Sequence, residues 1–139
     1  MFHNFTYGYN NGIAVYKIKY KRKIFSGTAH CHPDDRDMES ERVGLTVAES
    51  RANIKVLTYI KENELEPQLK ILNHVYANMK SSKYFNPKSY ETKSLRRQIH
   101  ILQNELNVIN KNLVEEKKFL KDYVKGKEKI YKKIRAKRQ

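Results

Sequence analysis

Ala14, Tyr16, Ile18 and Tyr20 alternate with Val15, Lys17, Lys19 and Lys21. That two-residue period predicts a strand with one apolar and one mainly cationic face. Asn11-Gly12 sits just before it and favours a hairpin bend with positive φ angles. A second strand is expected from about Ile24 to His30, with Lys21, Arg22 and Lys23 at or near the intervening bend. A ribbon this small must pack on helices or on another subunit.

The period then lengthens. Pro33, Asp34 and Asp35 end the β segment and cap a helix expected to run to about Asn63. Val43, Leu45, Val47, Ala48, Ala52, Ile54, Val56, Leu57 and Ile60 spread over more than one narrow stripe, which implies contacts on two sides. Gly44 interrupts good helix formers and marks a close approach. Pro67 fits the first turn of a second helix, so a break or kink is expected there. Leu65, Leu69, Leu72, Tyr76 and Met79 give that helix one seam, ending at Lys80, Ser81 and Ser82.

A third helix is expected to open at Asn86-Pro87 or Ser89. Its heptad core reads Leu95, Leu102, Ile109, Glu116, Tyr123 and Ile130 on one set and Ile99, Leu106, Leu113, Leu120, Lys127 and Ile134 on the other. Nine of these twelve positions are aliphatic, so the seam demands partner helices over roughly 60 Å. The second helix is long enough to cover only the first part, and the remainder points to another subunit. The expected architecture is α+β, mainly α, in a single domain over 1–139. It comprises an antiparallel β ribbon at 1–32, two helices at 34–82 and a long coiled-coil helix at 86–138.

Charge sharpens this picture. The chain carries 29 Lys and Arg against 15 Asp and Glu, a net charge of +14 over 139 residues. Such an excess draws nucleotides, nucleic acid or acidic membranes. The absence of an 18-residue apolar run argues against a membrane span, and residues Met1 to Phe5 lack a signal-peptide start, so a cytosolic protein is expected. Cys31 alone excludes an intrachain disulfide.

Nothing in the sequence supports catalysis or a cofactor. Phosphate-binding glycine motifs are absent, and Cys31 has neither a glycine elbow nor a paired acid. Asp34, Asp35, Asp37, Glu39 and Glu41 read as a helix-start acidic cluster. His30, Cys31 and His32 alternate across a strand, which disfavours one tetrahedral metal site. The cationic groups carry more promise. Lys17, Lys19, Lys21, Arg22 and Lys23 form a positive ribbon, Arg51 in an apolar helix needs a partner or an anion, and Arg96 and Arg97 follow the run Tyr84, Phe85, Asn86. Guanidinium, amide and ring together suit a phosphate and a stacked base. For any one of these arginines a structural salt bridge is the slightly better reading. The basic tail from Lys127 to Arg138 reads as an electrostatic arm.

Two blocks, SGTAHCHPDDRDMESERVGLTVAESRANIK at 26–55 and MKSSKYFNPKSYETKSLRRQIH at 79–100, resemble phage Thoeris anti-defence proteins, sponges for cyclic ADP-ribose-type signalling nucleotides. The resemblance implies a non-enzymatic homo-oligomer that sequesters such a nucleotide in the infected bacterial host's cytoplasm. It assigns Phe85 and Asn86 to ring and amide roles and Arg51, Arg96 and Arg97 to phosphate, with cyclic oligonucleotides as candidates for a second site. Two alternatives stand beside it: a nucleic-acid-binding or anti-CRISPR coiled-coil protein, and a coiled-coil scaffold without a ligand.

Overall fold

The computed structural model describes residues 4–31 and 40–138. The expected helix start at Pro33 to Asp35, His32, and the acidic cluster from Asp34 to Glu39 lie outside the described residues. The architecture is α+β and mainly α, an N-terminal antiparallel sheet followed by long helices. The chain divides into two compact units, one of Met1–Leu57 with Leu113–Gln139 and one of Thr58–Asn112. One unit is therefore assembled from both ends of the sequence.

In the first unit, β1 (Phe5–Asn10), β2 (Ile13–Tyr20) and β3 (Lys23–His30) form a sheet in the order β1-β2-β3. Asn11 and Gly12 join the first two with φ of 51° and 79°, the two positive angles that the Asn-Gly bend predicts. Lys21 turns the second hairpin with φ of 56° and sets its ammonium 5.3 Å from the centre of the Tyr20 ring. Lys19 N donates to Asn4 O at 2.8 Å, which sets the antiparallel alternation. Even-numbered residues of β1 bond to β2, while Phe5, Tyr7 and Tyr9 turn their amides and carbonyls to the free edge. Along β3 the same alternation turns Ser26 and Thr28 outward. There, Lys55 Nζ donates to Ser26 O and Arg51 Nη1 to Thr28 O, each at 2.6 Å.

Lys55 and Arg51 belong to α1 (Ser40–Tyr59), which covers one face of the sheet. Ala14, Tyr16 and Ile18 of β2 and Ala29 of β3 are buried there with Ala48, Ala52 and Val56. The approach is close at two glycines. A Cβ on Gly27 would overlap the Ala48 carbonyl oxygen and the Ala52 amide nitrogen, and one on Gly44 would lie 3.0 Å from the Ala14 Cβ. Gly44 was expected to mark a close helix approach, and the elements it meets are the strands, at Ala14 and Tyr9. Tyr9 Oη and Ser40 Oγ hydrogen bond at 2.7 Å and tie the helix start to β1.

The expected break near Pro67 takes another form. Residues Ile60–Leu65 make a π-helical turn in which the Glu66 amide bonds to Lys61 O, five residues back, and α2 (Glu66–Lys80) follows without interruption. Proline lacks an amide hydrogen and its ring crowds the carbonyl four residues earlier; widening one turn accommodates both.

The second unit is a helical hairpin of α2 and the first part of α3 (Tyr90–Arg138). Leu72 shares a hollow with Gln98 and Leu102, whereas Met79 shares one with Thr92, so the pairing is antiparallel. Leu65 and Leu69 are buried and Leu72, Tyr76 and Met79 half-buried, the seam read from the spacing. Ser89 caps α3: its Oγ accepts from Thr92 N at 3.2 Å and donates to Thr92 Oγ1 at 2.8 Å.

The part of the seam that α2 is too short to cover was expected to meet another subunit, and α1 of the same chain lies along some of it. Leu113 is buried and Leu120, Tyr123 and Ile134 half-buried, and residues of α1 and α3 wall the same hollows. The second apolar side of α1 covers part of that seam, while Ile130 stays 50% exposed.

Gly27→Ala should lower stability by about 3 kcal/mol, the upper end for overpacking, because backbone rather than a flexible side chain meets the new methyl group; the urea midpoint of unfolding measures it. Burial, with the Glu49 carboxylate and Tyr7 adding to it, pushes the Tyr16 phenol above its ordinary 10.0. The unfolded chain then releases this proton first, so stability is full below that pH and falls as pH rises through the raised folded value. Unfolding midpoints from pH 9 to 11 (roughly the tyrosine range) should fall less steeply for Tyr16→Phe.

Candidate anion-binding site

Arg51 leaves the face of α1 that packs on β3, bonds to Thr28 O, and lines a cavity of about 260 Å³ in the first unit. Lys127, Tyr131 and Arg135 of α3 line it as well, with His30 and Cys31 from the end of the sheet. Among the described residues that line it, Arg51, Lys127 and Arg135 are cationic and Glu128 is anionic. Val43, Gly44 and Val47 provide its apolar floor. Arg51 has one donor on Thr28, and a guanidinium fork carries five, so an anion can be bound without losing the bond that caps β3. The cavity is smaller than the roughly 300 to 1,000 Å³ that encloses a drug-sized ligand. Its dimensions and charge suit a phosphate group and what is attached to it.

Phe85 and Asn86 lie in the second unit, in the loop between α2 and α3, where they line an open hollow of about 310 Å³ with Met79, Ser82, Ser89 and Thr92. Phe85 meets Tyr76 edge to face, with centroids 6.4 Å apart and planes at 74°. Asn86 Oδ1 accepts from Lys88 N at 3.0 Å and Asn86 O from Ser89 N at 3.1 Å, so the amide shapes the loop that leads into the Ser89 cap. Its NH₂ group has no bond among the described residues. Tyr84 lines the hollow at 82% exposure with Lys83 Nζ 5.1 Å from its ring centre, and Tyr90 is 80% exposed at the start of α3.

The expected ligand residues therefore separate into groups. Phe85 and Asn86 share a hollow. Arg96 and Arg97 are exposed on α3 in the same unit and do not line that hollow. Arg51 belongs to the other unit. It was expected to need a buried partner or an anion; it is exposed and its guanidinium reaches a strand carbonyl.

Lys127 and Arg135 were read only as seam or tail, and Tyr131 was not singled out. One signal marked the first of them. Lys127 is a charged residue at an aliphatic position of the heptad, and charge in a seam costs packing. Glu116, the other charged seam position, also lines a hollow, with Glu49, Ser50, Asn53 and Phe119. Among the described residues no three His, Cys, Asp or Glu side chains converge on a metal position, and no helix is long and apolar enough to cross a membrane.

No protein-family model, curated protein or solved structure matches the chain.

Lys127→Leu fills the seam and removes one cavity cation. It should raise stability by about 1 kcal/mol while weakening phosphate or pyrophosphate binding several-fold, read by thermal melts with and without the anion.

Proposed function

We propose that this chain binds and sequesters a cyclic ADP-ribose-type immune signalling nucleotide without cleaving it, as a phage anti-defence sponge. The observation that carries the reading is the convergence of Arg51, Lys127 and Arg135, with Tyr131, on one small cavity. Arginine and lysine side chains brought to one space suit a phosphate, whose oxygens accept from several donors at once. The resemblance in residues 26–55 and 79–100 supplies the identity of that anion. In this reading Phe85 and Asn86 give the ring and amide contacts, and Arg51, Arg96 and Arg97 contact phosphate. Each hollow is too small or too open to enclose a whole nucleotide, which supports completion by a second subunit. Exposed Ile71, Val75, Ile101 and Val108 on the second unit supply apolar surface for such association. Cyclic oligonucleotides are candidates for a second site.

Incubation with cyclic ADP-ribose isomers, removal of free ligand, denaturation and mass analysis should recover the intact nucleotide. Phe85→Ala should weaken retention by about 5- to 150-fold, the range of one lost base stack. Recovery of a cleaved product would make the protein an enzyme.

A nucleic-acid reading has one observation of its own. Lys17 and Lys19 share the sheet face opposite α1, exposed beside Thr6 and Ile24. If duplex binding is the function, affinity should fall steeply with salt, in proportion to the phosphates contacted, and no nucleotide should be retained.

A further inference from the structure

The two edges of the sheet are treated differently. At β3 the outward carbonyls of Ser26 and Thr28 are taken by Lys55 and Arg51. At β1 the outward amides and carbonyls of Phe5, Tyr7 and Tyr9 have no partner among the described residues. Proteins guard an open edge with lysine, proline or a bulge, because it is a template for another strand. The sequence of β1, FTYGYN, has neither charge nor proline, and its register with β2 runs without a bulge.

The side chains point the same way. Phe5, Tyr7 and Tyr9 pair across the ladder with Ile18, Tyr16 and Ala14, so all share the face that α1 covers on β2 and β3. That cover thins at β1, where Phe5 is 45% and Tyr7 66% exposed. The Phe5 and Tyr7 rings stack with Tyr16 at 5.3 and 6.4 Å between centroids. An ordered aromatic ladder thus stands beside an open hydrogen-bonding edge.

We propose that β1 is a self-association edge, where the β1 strand of a second copy adds antiparallel across a two-fold axis at Tyr7 and joins two sheets into one. Under that axis Tyr7 faces its own counterpart, and Phe5 and Tyr9 face each other's. The outward groups of all three then pair in the hydrogen-bonded register, and their rings meet on one face. Charge selects a second copy and this location. Two chains of net charge +14 repel over most of their surface, yet β1 is uncharged. The nearest strand lysines, Lys17 and Lys19 on β2, would lie three strand spacings from their counterparts, about 14 Å. That exceeds the screening length of about 8 Å at physiological salt. The edge is self-complementary as a two-fold interface requires. The surface does not depend on the ligand reading, and its test uses no nucleotide.

Two measurements on the full chain test it. Sedimentation equilibrium of Tyr7→Lys, which sets two ammonium groups against each other on the axis, should show association weakened by about tenfold or more. Circular dichroism checks that this exposed position leaves the fold intact. In a Cys31→Ala background, oxidation of Tyr7→Cys should give a covalent dimer rapidly, since residues on the axis lie about 5.5 Å apart between Cα atoms. Lys19→Cys, one strand inward, should not. A wild-type monomer at all concentrations, association untouched by Tyr7→Lys, or equal cross-linking at positions 7 and 19 would each overturn the proposal.

Discussion

Gly27 brings β3 against the backbone of α1 at Ala48 and Ala52, and Gly44 brings α1 against Ala14. Everything else in the first unit depends on that contact. At that separation Lys55 and Arg51 reach the carbonyls of Ser26 and Thr28 at the β3 edge. With it, one helix both covers the sheet and occupies two outward carbonyls of its β3 edge. The free edge is left at β1.

The same contact orients the other side of α1 toward α3. Val47 and Ser50 line hollows shared with α3, and Leu113 is buried. A helix with one apolar stripe could not do this; α1 has two, so it covers within one chain part of a seam that is otherwise open, as at Ile130. The charged seam positions then acquire a meaning. Lys127 and Glu116 each face a hollow instead of a packed layer. Ser50 Oγ, buried with no hydrogen-bond partner among the described residues, is the polar cost of that close helix contact.

Local signals were read correctly because they depend on near neighbours. Asn11-Gly12 takes two positive φ angles whatever surrounds it, Ser89 caps the helix that follows it, and the alternation from Ala14 to Tyr20 assigns one face of β2 to the core. The α2 seam is of the same kind. Pro67 was flagged, but whether the chain breaks or absorbs it in a π turn depends on the hydrogen bonds of the preceding turn, which no residue type specifies.

Sequence alone determined that this is a basic chain with an antiparallel β ribbon and long amphipathic helices, since period and charge are properties of residue order. Tertiary structure decided which surfaces meet. It brought Arg51 together with Lys127 and Arg135, placed it in a different unit from Phe85 and Asn86, and turned α1 onto part of the seam assigned to another subunit. These pairings join residues far apart in the chain, and a heptad pattern states that a partner is needed without naming it. The choice falls to packing, here to two glycines that allow one helix to lie close on the sheet.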